Sequence, residues 1–189
     1  MNLSEINIRE KDFHNKLQSQ KKGRYENIFY KALYNISEDF FDYLKNNAKD
    51  AEILDYGCGI GSFIEEVAKF GPKKIVGIDI SEVSINKAVE RTKELKTNVN
   101  FIVDNCEKTK FANNSFDIVY GSGILHHLQI NKCLDEIHRV LKSNGSLVFI
   151  EPLGTNPIIN FYRKLTPKSR SKDEHPLIEK DFNYIKSKF

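Results

Sequence analysis

Ile53-Leu54-Asp55-Tyr56 is an apolar stretch with one carboxylate. It runs without a break into Gly57-Cys58-Gly59-Ile60-Gly61, and then into a helical pattern over residues 62–70 with Phe63, Ile64, Val67 and Ala68 on one face. A strand, a glycine turn and a helix in so short a span fit few architectures. Glycine is needed where the backbone angles are unusual and where a ligand must approach the main chain closely. The helix that follows leaves its first N–H groups without intrahelical partners. Taken alone, such a segment also reads as a plain strand-to-helix turn.

The rest of the chain repeats the alternation. Short β-branched runs fall at residues 52–56, 74–80, 100–104, 116–120 and 146–150. Ile75-Val76-Gly77-Ile78 and Leu147-Val148-Phe149-Ile150 are continuously apolar, as strands are when helices cover both faces of a parallel sheet. Between them, Ser81 is placed to cap a helix that has Glu82 in its first turn and Ile85, Ala88 and Val89 as its apolar stripe. Residues 131–142 repeat the pattern through Leu134, Ile137 and Leu141 and stop at Ser143-Asn144-Gly145. The expectation is an α/β, Rossmann-like doubly wound sheet with at least five parallel strands. Upstream, Tyr25, Ile28, Phe29, Ala32 and Leu33 form one helical stripe, and Phe40, Phe41 and Leu44 follow the cap-like Ser37. Three parts result: an N-terminal helical region over residues 1–48, a ligand-binding core over 49–152, and a basic helical tail over 153–189 with helices at 158–165 and 178–188.

Composition narrows the setting. The 189 residues are a one-domain length, and a net charge of +3 does not by itself call for nucleic acid. Basic residues gather at Lys21, Lys22 and Arg24 and again from Arg163 to the end of the chain, which reads first as solvated surface. Cys58, Cys106 and Cys133 are odd in number and lack CxxC spacing, arguing against disulfides and zinc and fitting a reducing cytoplasm. There is no apolar run near the ~20 residues that span a bilayer, no signal-peptide core and no carboxylate-rich metal cluster.

Charge at the strand ends indicates the ligand. A GxGxxG fingerprint seats a pyrophosphate. Here the third glycine comes one position early, Ser62 takes the fingerprint's last position, and Asp55 stands before the loop. A carboxylate there is awkward for pyrophosphate but suits a ligand with an ammonium group. S-adenosylmethionine, which carries an ammonium, a sulfonium and no phosphate, is favoured over NAD. Asp79, at the tip of the second strand in Gly77-Ile78-Asp79-Ile80, is placed to accept both ribose hydroxyls, a feature the two cofactors share. Asp104 ends the third strand, placed for an adenine amino group with Asn105 and Cys106 beside it, although a strand-end carboxylate also serves as a cap or turn residue.

These motifs resemble the class I S-adenosylmethionine-dependent methyltransferases with a type-11 or type-12 core. Leu54 to Gly61 is similar to the family's first motif and Gly77-Ile78-Asp79-Ile80-Ser81 to its second. Phe116 to Leu128, with Gly121-Ser122-Gly123 and His126-His127, resembles the fourth-strand motif, and Glu136 to Leu147 the helix and turn before the fifth strand. The match spans about residues 50 to 152. It implies Asp55, Gly57, Cys58 and Gly59 at the methionine end, Asp79 and Ile80 at the ribose, Asp104, Asn105 and Cys106 at the adenine, and Gly121 and Ser122 beside the sulfonium. It also implies a sixth and a seventh strand, yet after Ile150 only helical patterns are evident. A partner, a second copy or a covering C-terminal segment is therefore expected at the fifth-strand edge.

Methyl transfer is an in-line displacement in which the protein positions the nucleophile and excludes water. Where a base is used, His126 is the candidate, with a capping or structural role as the alternative; His127 is expected to pack or to bond the backbone. Tyr25 and His175 are further candidates on the substrate side, and Phe13, Tyr25, Phe29 and Tyr30 form a lid or simply pack. The fourth strand is followed neither by an Asn/Asp-Pro-Pro-aromatic stretch nor by Pro-Cys, which disfavours nucleic-acid bases and leaves a small-molecule acceptor. The competing readings are a cofactor-binding, non-catalytic partner subunit and an NAD-dependent oxidoreductase. The methyltransferase reading predicts S-adenosyl-L-homocysteine as product, the partner-subunit reading cofactor binding without turnover, and the oxidoreductase reading preferential NADH binding.

Overall fold

The computed structural model describes residues 3–19, 38–165, 171 and 173–189. The sequence-based stripe through Tyr25, Ile28, Phe29, Ala32 and Leu33, the lid candidate Tyr30, the Ser37 cap and the basic group Lys21, Lys22 and Arg24 lie outside those residues.

Five strands form one parallel sheet: β1 (Glu52–Tyr56), β2 (Lys74–Asp79), β3 (Val99–Val103), β4 (Phe116–Ser122) and β5 (Leu141–Ile150), in the order β3-β2-β1-β4-β5. The helices are α1 (Glu5–Ser19), α2 (Glu38–Asn47), α3 (Ser62–Val67, continued by a 3-10 turn over Ala68–Phe70), α4 (Glu82–Thr92), α5 (Ile130–Val140), α6 (Pro157–Leu165) and α7 (Glu179–Lys188). The chain reverses direction across the sheet between β1 and β4, the switch point where ligands bind in open α/β sheets.

The two-residue period of β1 divides the core. Leu54 and Tyr56 point to one face with Val76, Ile78, Val119, Leu134 and Ile137; Ile53 points to the other with Ile75, Ile118, Phe40, Leu44, Ile64 and Val67. The last four residues of β1, Ile53 to Tyr56, are buried, Asp55 among them. On the second face, Phe41 stacks on Phe63, and the Phe40 ring meets Tyr120 edge-on.

Several boundaries depart from the sequence reading for local reasons. Ser81 does cap α4, accepting from Ser84 N at 3.0 Å, but Val89 is 50% exposed. The stripe is Ser84, Ile85, Ala88 and Thr92. Helix α5 ends at Val140 rather than near Ser143, because Leu141 is already extended and pairs with Phe116 in the ladder. Gly145 lies inside β5, where a Cβ would sit 2.9 Å from Asp117 O, so it serves a close strand approach rather than a helix cap.

Among the described residues no sixth or seventh strand follows β5. The C-terminal segment returns instead to the chain just past β5, through a single parallel bridge from Leu177 to Leu153. Leu177 is 4% exposed and belongs to the core cluster of α5, and α7 packs on α5 with Tyr184 donating to Asp135 at 2.9 Å. That segment lies beyond the end of β5, and the outer edge of β5 carries no strand among the described residues.

Candidate functional site

The glycine turn is held by its backbone angles. Gly57, Gly59 and Gly61 have φ of 75°, 52° and 75°, in the left-handed region that side chains rarely adopt. A Cβ on Gly57 would lie 2.4 Å from Ile124 Cγ1, whereas one on Gly59 would meet nothing within 4 Å. Gly57 is therefore closed by packing, and Gly59 presents a bare backbone to open space. Cys58 turns inward, its N–H donating to Ile78 O at 2.8 Å, and burial pushes its thiol well above the ordinary range.

Three carboxylates stand at the ends of β1, β2 and β3, as their sequence positions require. Asp55 is 3% exposed and accepts from the Tyr120 hydroxyl at 3.0 Å. Burial pushes its carboxyl up to about 8, against the pull of Tyr120. Asp79 is half-buried; its two oxygens accept from Gly59 N at 3.0 Å and Ser81 N at 2.8 Å. One carboxylate thus ties the glycine turn to the start of α4. Ile80 follows it, also half-buried. Asp104 is used differently. It is 1% exposed and accepts from Asn105 N at 3.0 Å and Lys110 N at 3.2 Å, closing its own loop. Asn105 Oδ1 accepts from Glu107 N at 2.9 Å, and Cys106 is buried with its carbonyl taken by the Tyr56 hydroxyl. Gly121 and Ser122 are the last two residues of β4 rather than residues beyond it, paired with Phe149 and Ile150. A Cβ on Gly121 would lie 2.7 Å from Tyr56 O.

Helix α1 crosses this edge. Asn7, 3% exposed, accepts from Asn105 Nδ2 at 3.2 Å; Asn15 accepts from the Ser81 hydroxyl at 2.6 Å; Lys11 pairs with Glu82 at 2.6 Å. Arg9 grips Asp173 through two hydrogen bonds of 2.8 Å, joining α1 to the tail.

The histidines lie in a 3-10 turn, Leu125–His127, and both are buried. His126 Nδ1 is 2.7 Å from Glu151 Oε2, while Glu151 Oε1 accepts from Ile124 N and Leu125 N at 2.8 Å each. Its Nε2 faces Glu174 Oε1 at 3.8 Å. His127 donates its main-chain N–H to Ile124 O at 3.0 Å, and its Nδ1 is 3.0 Å from Glu10 Oε2. His175 has an exposed ring and touches the turn through its main chain, donating N–H to His126 O at 2.8 Å. Tyr25 lies outside the described residues.

Sequence reasoning passed over Glu10, Glu151 and Glu174. Glu151 had a visible signal, since it directly follows the apolar run Leu147-Val148-Phe149-Ile150 and is one more acidic residue at a strand end.

A methyltransferase-domain model matches residues 54–149, from β1 through nearly all of β5. The chain belongs to the class I S-adenosylmethionine-dependent methyltransferases. It is 36% identical over 104 residues to a demethylmenaquinone methyltransferase of Bacteroides fragilis, a match covering 53% of this chain and 42% of that protein. It is 30% identical over 134 residues to phosphoethanolamine N-methyltransferase 3 of Arabidopsis thaliana, covering 68% of this chain and 27% of that one. The chain thus spans less than half the length of these relatives. In fold it is similar to geranyl diphosphate C-methyltransferase from Streptomyces coelicolor A3(2), solved with S-adenosyl-L-homocysteine, with a TM-score of 0.72 at 14% identity, covering 100% of this chain and 80% of the other.

For a methyltransferase of this class the cofactor is S-adenosylmethionine, and the donor set agrees with it. The bare backbone at Gly59 and the half-buried Asp79 suit a nucleoside, and the inward carboxyl of Asp55 suits a cation.

Proposed function

We propose that this chain binds S-adenosylmethionine along the carboxyl edge of β1, β2 and β3 and transfers its methyl group to a small-molecule acceptor. The observation that carries the reading is the alignment of Asp55, Asp79 and Asp104 at three strand ends beside the Gly57–Gly61 turn. When bound, the cofactor supplies an electrophilic methyl on a sulfonium.

The chain's own groups do the rest. Asp55 holds the amino end, and its ionisation on binding balances the cation. Asp79 has lone pairs left after its two backbone contacts and accepts the ribose hydroxyls. Asp104 shapes the loop whose Asn105 and Cys106 main chain borders the adenine, so its part is positioning. Gly121 and Ser122 border the methionine portion. Residues 1–48 act as a helical lid, of which α1 is the described part, and residues 153–189 close the acceptor side.

His126 is the general base. Glu151 accepts from Nδ1, fixing the tautomer and leaving Nε2 free to take a proton. The names of the relatives suggest quinone-type phenols and phosphorylated amino alcohols as the first acceptors to try. Buried free thiols fit a cytoplasmic protein, and the open edge of β5 fits contact with a second copy.

Calorimetry with S-adenosyl-L-homocysteine and NADH, followed by measurement of S-adenosyl-L-homocysteine released over an acceptor panel, tests the reading. Preferential NADH binding would sink it, and cofactor binding without turnover on any acceptor would favour a non-catalytic partner subunit.

A further inference from the structure

We propose that Glu10, His14 and His127 form a binding site for one divalent transition-metal ion. The proposal rests on these side chains alone and is independent of the methyl-transfer reading.

Glu10 and His14 are one turn apart on α1, so they share a helix face. His127 reaches them from the 3-10 turn after β4. Glu10 Oε2 is 3.0 Å from His127 Nδ1 and 3.6 Å from His14 Nε2, and one donor atom from each residue falls within 4.8 Å of the other two. An ion bonded at about 2.0–2.2 Å to nitrogen and oxygen separates tetrahedral donors by roughly 3.3–3.6 Å. Small side-chain rotations bring the three donors to that spacing.

A second observation is independent of the spacing. Glu10 is 4% exposed and His127 5%, yet both Glu10 oxygens and His127 Nδ1 lack a hydrogen bond of ordinary geometry, as does the Ser171 hydroxyl that also faces Glu10. Buried carboxylate oxygens are costly to leave so, and a cation answers the three Glu10 and His127 atoms at once.

A neighbouring trio, His126, His127 and Glu174, has similar spacing. Its carboxylate is already balanced by a cation, since Glu174 is paired with Arg163, and His126 Nδ1 is held at 2.7 Å by Glu151. Two imidazoles and one carboxylate suit zinc, iron, cobalt or nickel rather than magnesium or calcium. His14, with a quarter of its side chain exposed, offers the entry. An ion there pins α1 to the turn after β4.

The test uses untagged full-length protein stripped with chelator, then titrated with Zn²⁺ against a chromogenic competitor. One equivalent is expected, with a rise in melting temperature. Glu10→Gln and His14→Gln should each weaken Zn²⁺ at least about tenfold, and Glu174→Gln should leave it within about twofold. Co²⁺ in place of Zn²⁺ should give a visible d–d spectrum that His14→Gln abolishes. Less than half an equivalent bound overturns the site. So does unchanged affinity in both Glu10→Gln and His14→Gln, or a loss confined to Glu174→Gln, which would place the ion in the neighbouring trio.

Discussion

Tyr120 donates its hydroxyl to Asp55 Oδ2 at 3.0 Å, and neither residue is more than 3% exposed. Burial raises the carboxyl to about 8, Tyr120 opposes the shift, and Asp79 adds to it. The cofactor-free protein therefore holds Asp55 protonated at neutral pH. A cation placed beside it favours ionisation, so binding releases a proton below about pH 8. Affinity for S-adenosyl-L-homocysteine should rise toward tenfold per pH unit between about pH 6 and 8 and level off above. Calorimetry in buffers of different ionisation enthalpy reads the proton directly; a flat profile removes Asp55 from the amino end.

The same carboxyl makes a prediction about stability. Its folded-state value lies above its ordinary 3.8, so the associated stability is fully present below about pH 4 and is lost as pH rises through about 8. Asp55→Asn should make the cofactor-free protein more stable by about 1–3 kcal/mol at pH 8, with no gain at pH 4. Denaturant midpoints at the two pH values check the sign. Equal midpoints at pH 8 would mean that Asp55 is ionised in the folded protein.

Gly57 and Gly59 share positive φ but differ in surroundings. Gly57→Ala combines backbone strain with a Cβ 2.4 Å from Ile124 and should cost about 2–4 kcal/mol. Gly59→Ala meets nothing within 4 Å and should cost only about 1 kcal/mol. If a nucleoside lies against that backbone, Gly59→Ala should nevertheless weaken S-adenosyl-L-homocysteine at least about tenfold. Melting curves and binding isotherms on the two variants separate packing from ligand approach.

The sheet and its carboxyl edge were legible in the sequence because both are written in local patterns. Continuous apolar runs marked the doubly covered strands, and Asp55, Asp79 and Asp104 fell at their ends by position alone. What those carboxylates do was less legible. Asp104 is consumed by Asn105 N and Lys110 N, a loop closure that no periodicity records. The contacts of α1 were also hidden, since Asn7 to Asn105 and Glu10 to His127 join residues far apart in the chain. Val89 was misplaced because the actual stripe of α4 uses Ser84 and Thr92, small polar residues whose hydroxyl and N–H groups find local partners.

Glu151 and His126 give the sharpest test of acceptor chemistry. Glu151 accepts from His126 Nδ1 at 2.7 Å while its other oxygen takes Ile124 N and Leu125 N. In Glu151→Gln the amide oxygen can keep both backbone contacts, but the amide nitrogen must donate toward Nδ1. That drives the imidazole proton to Nε2, so the ring can no longer accept one there. Structure and cofactor affinity should survive, with melting within a few degrees of the parent, while kcat falls by about 10²–10⁴ for a hydroxyl or carbon acceptor. Nitrogen-15 chemical shifts of the ring report the tautomer without any reference to activity. A variant with the switched tautomer and undiminished kcat would show that His126 only holds the turn after β4.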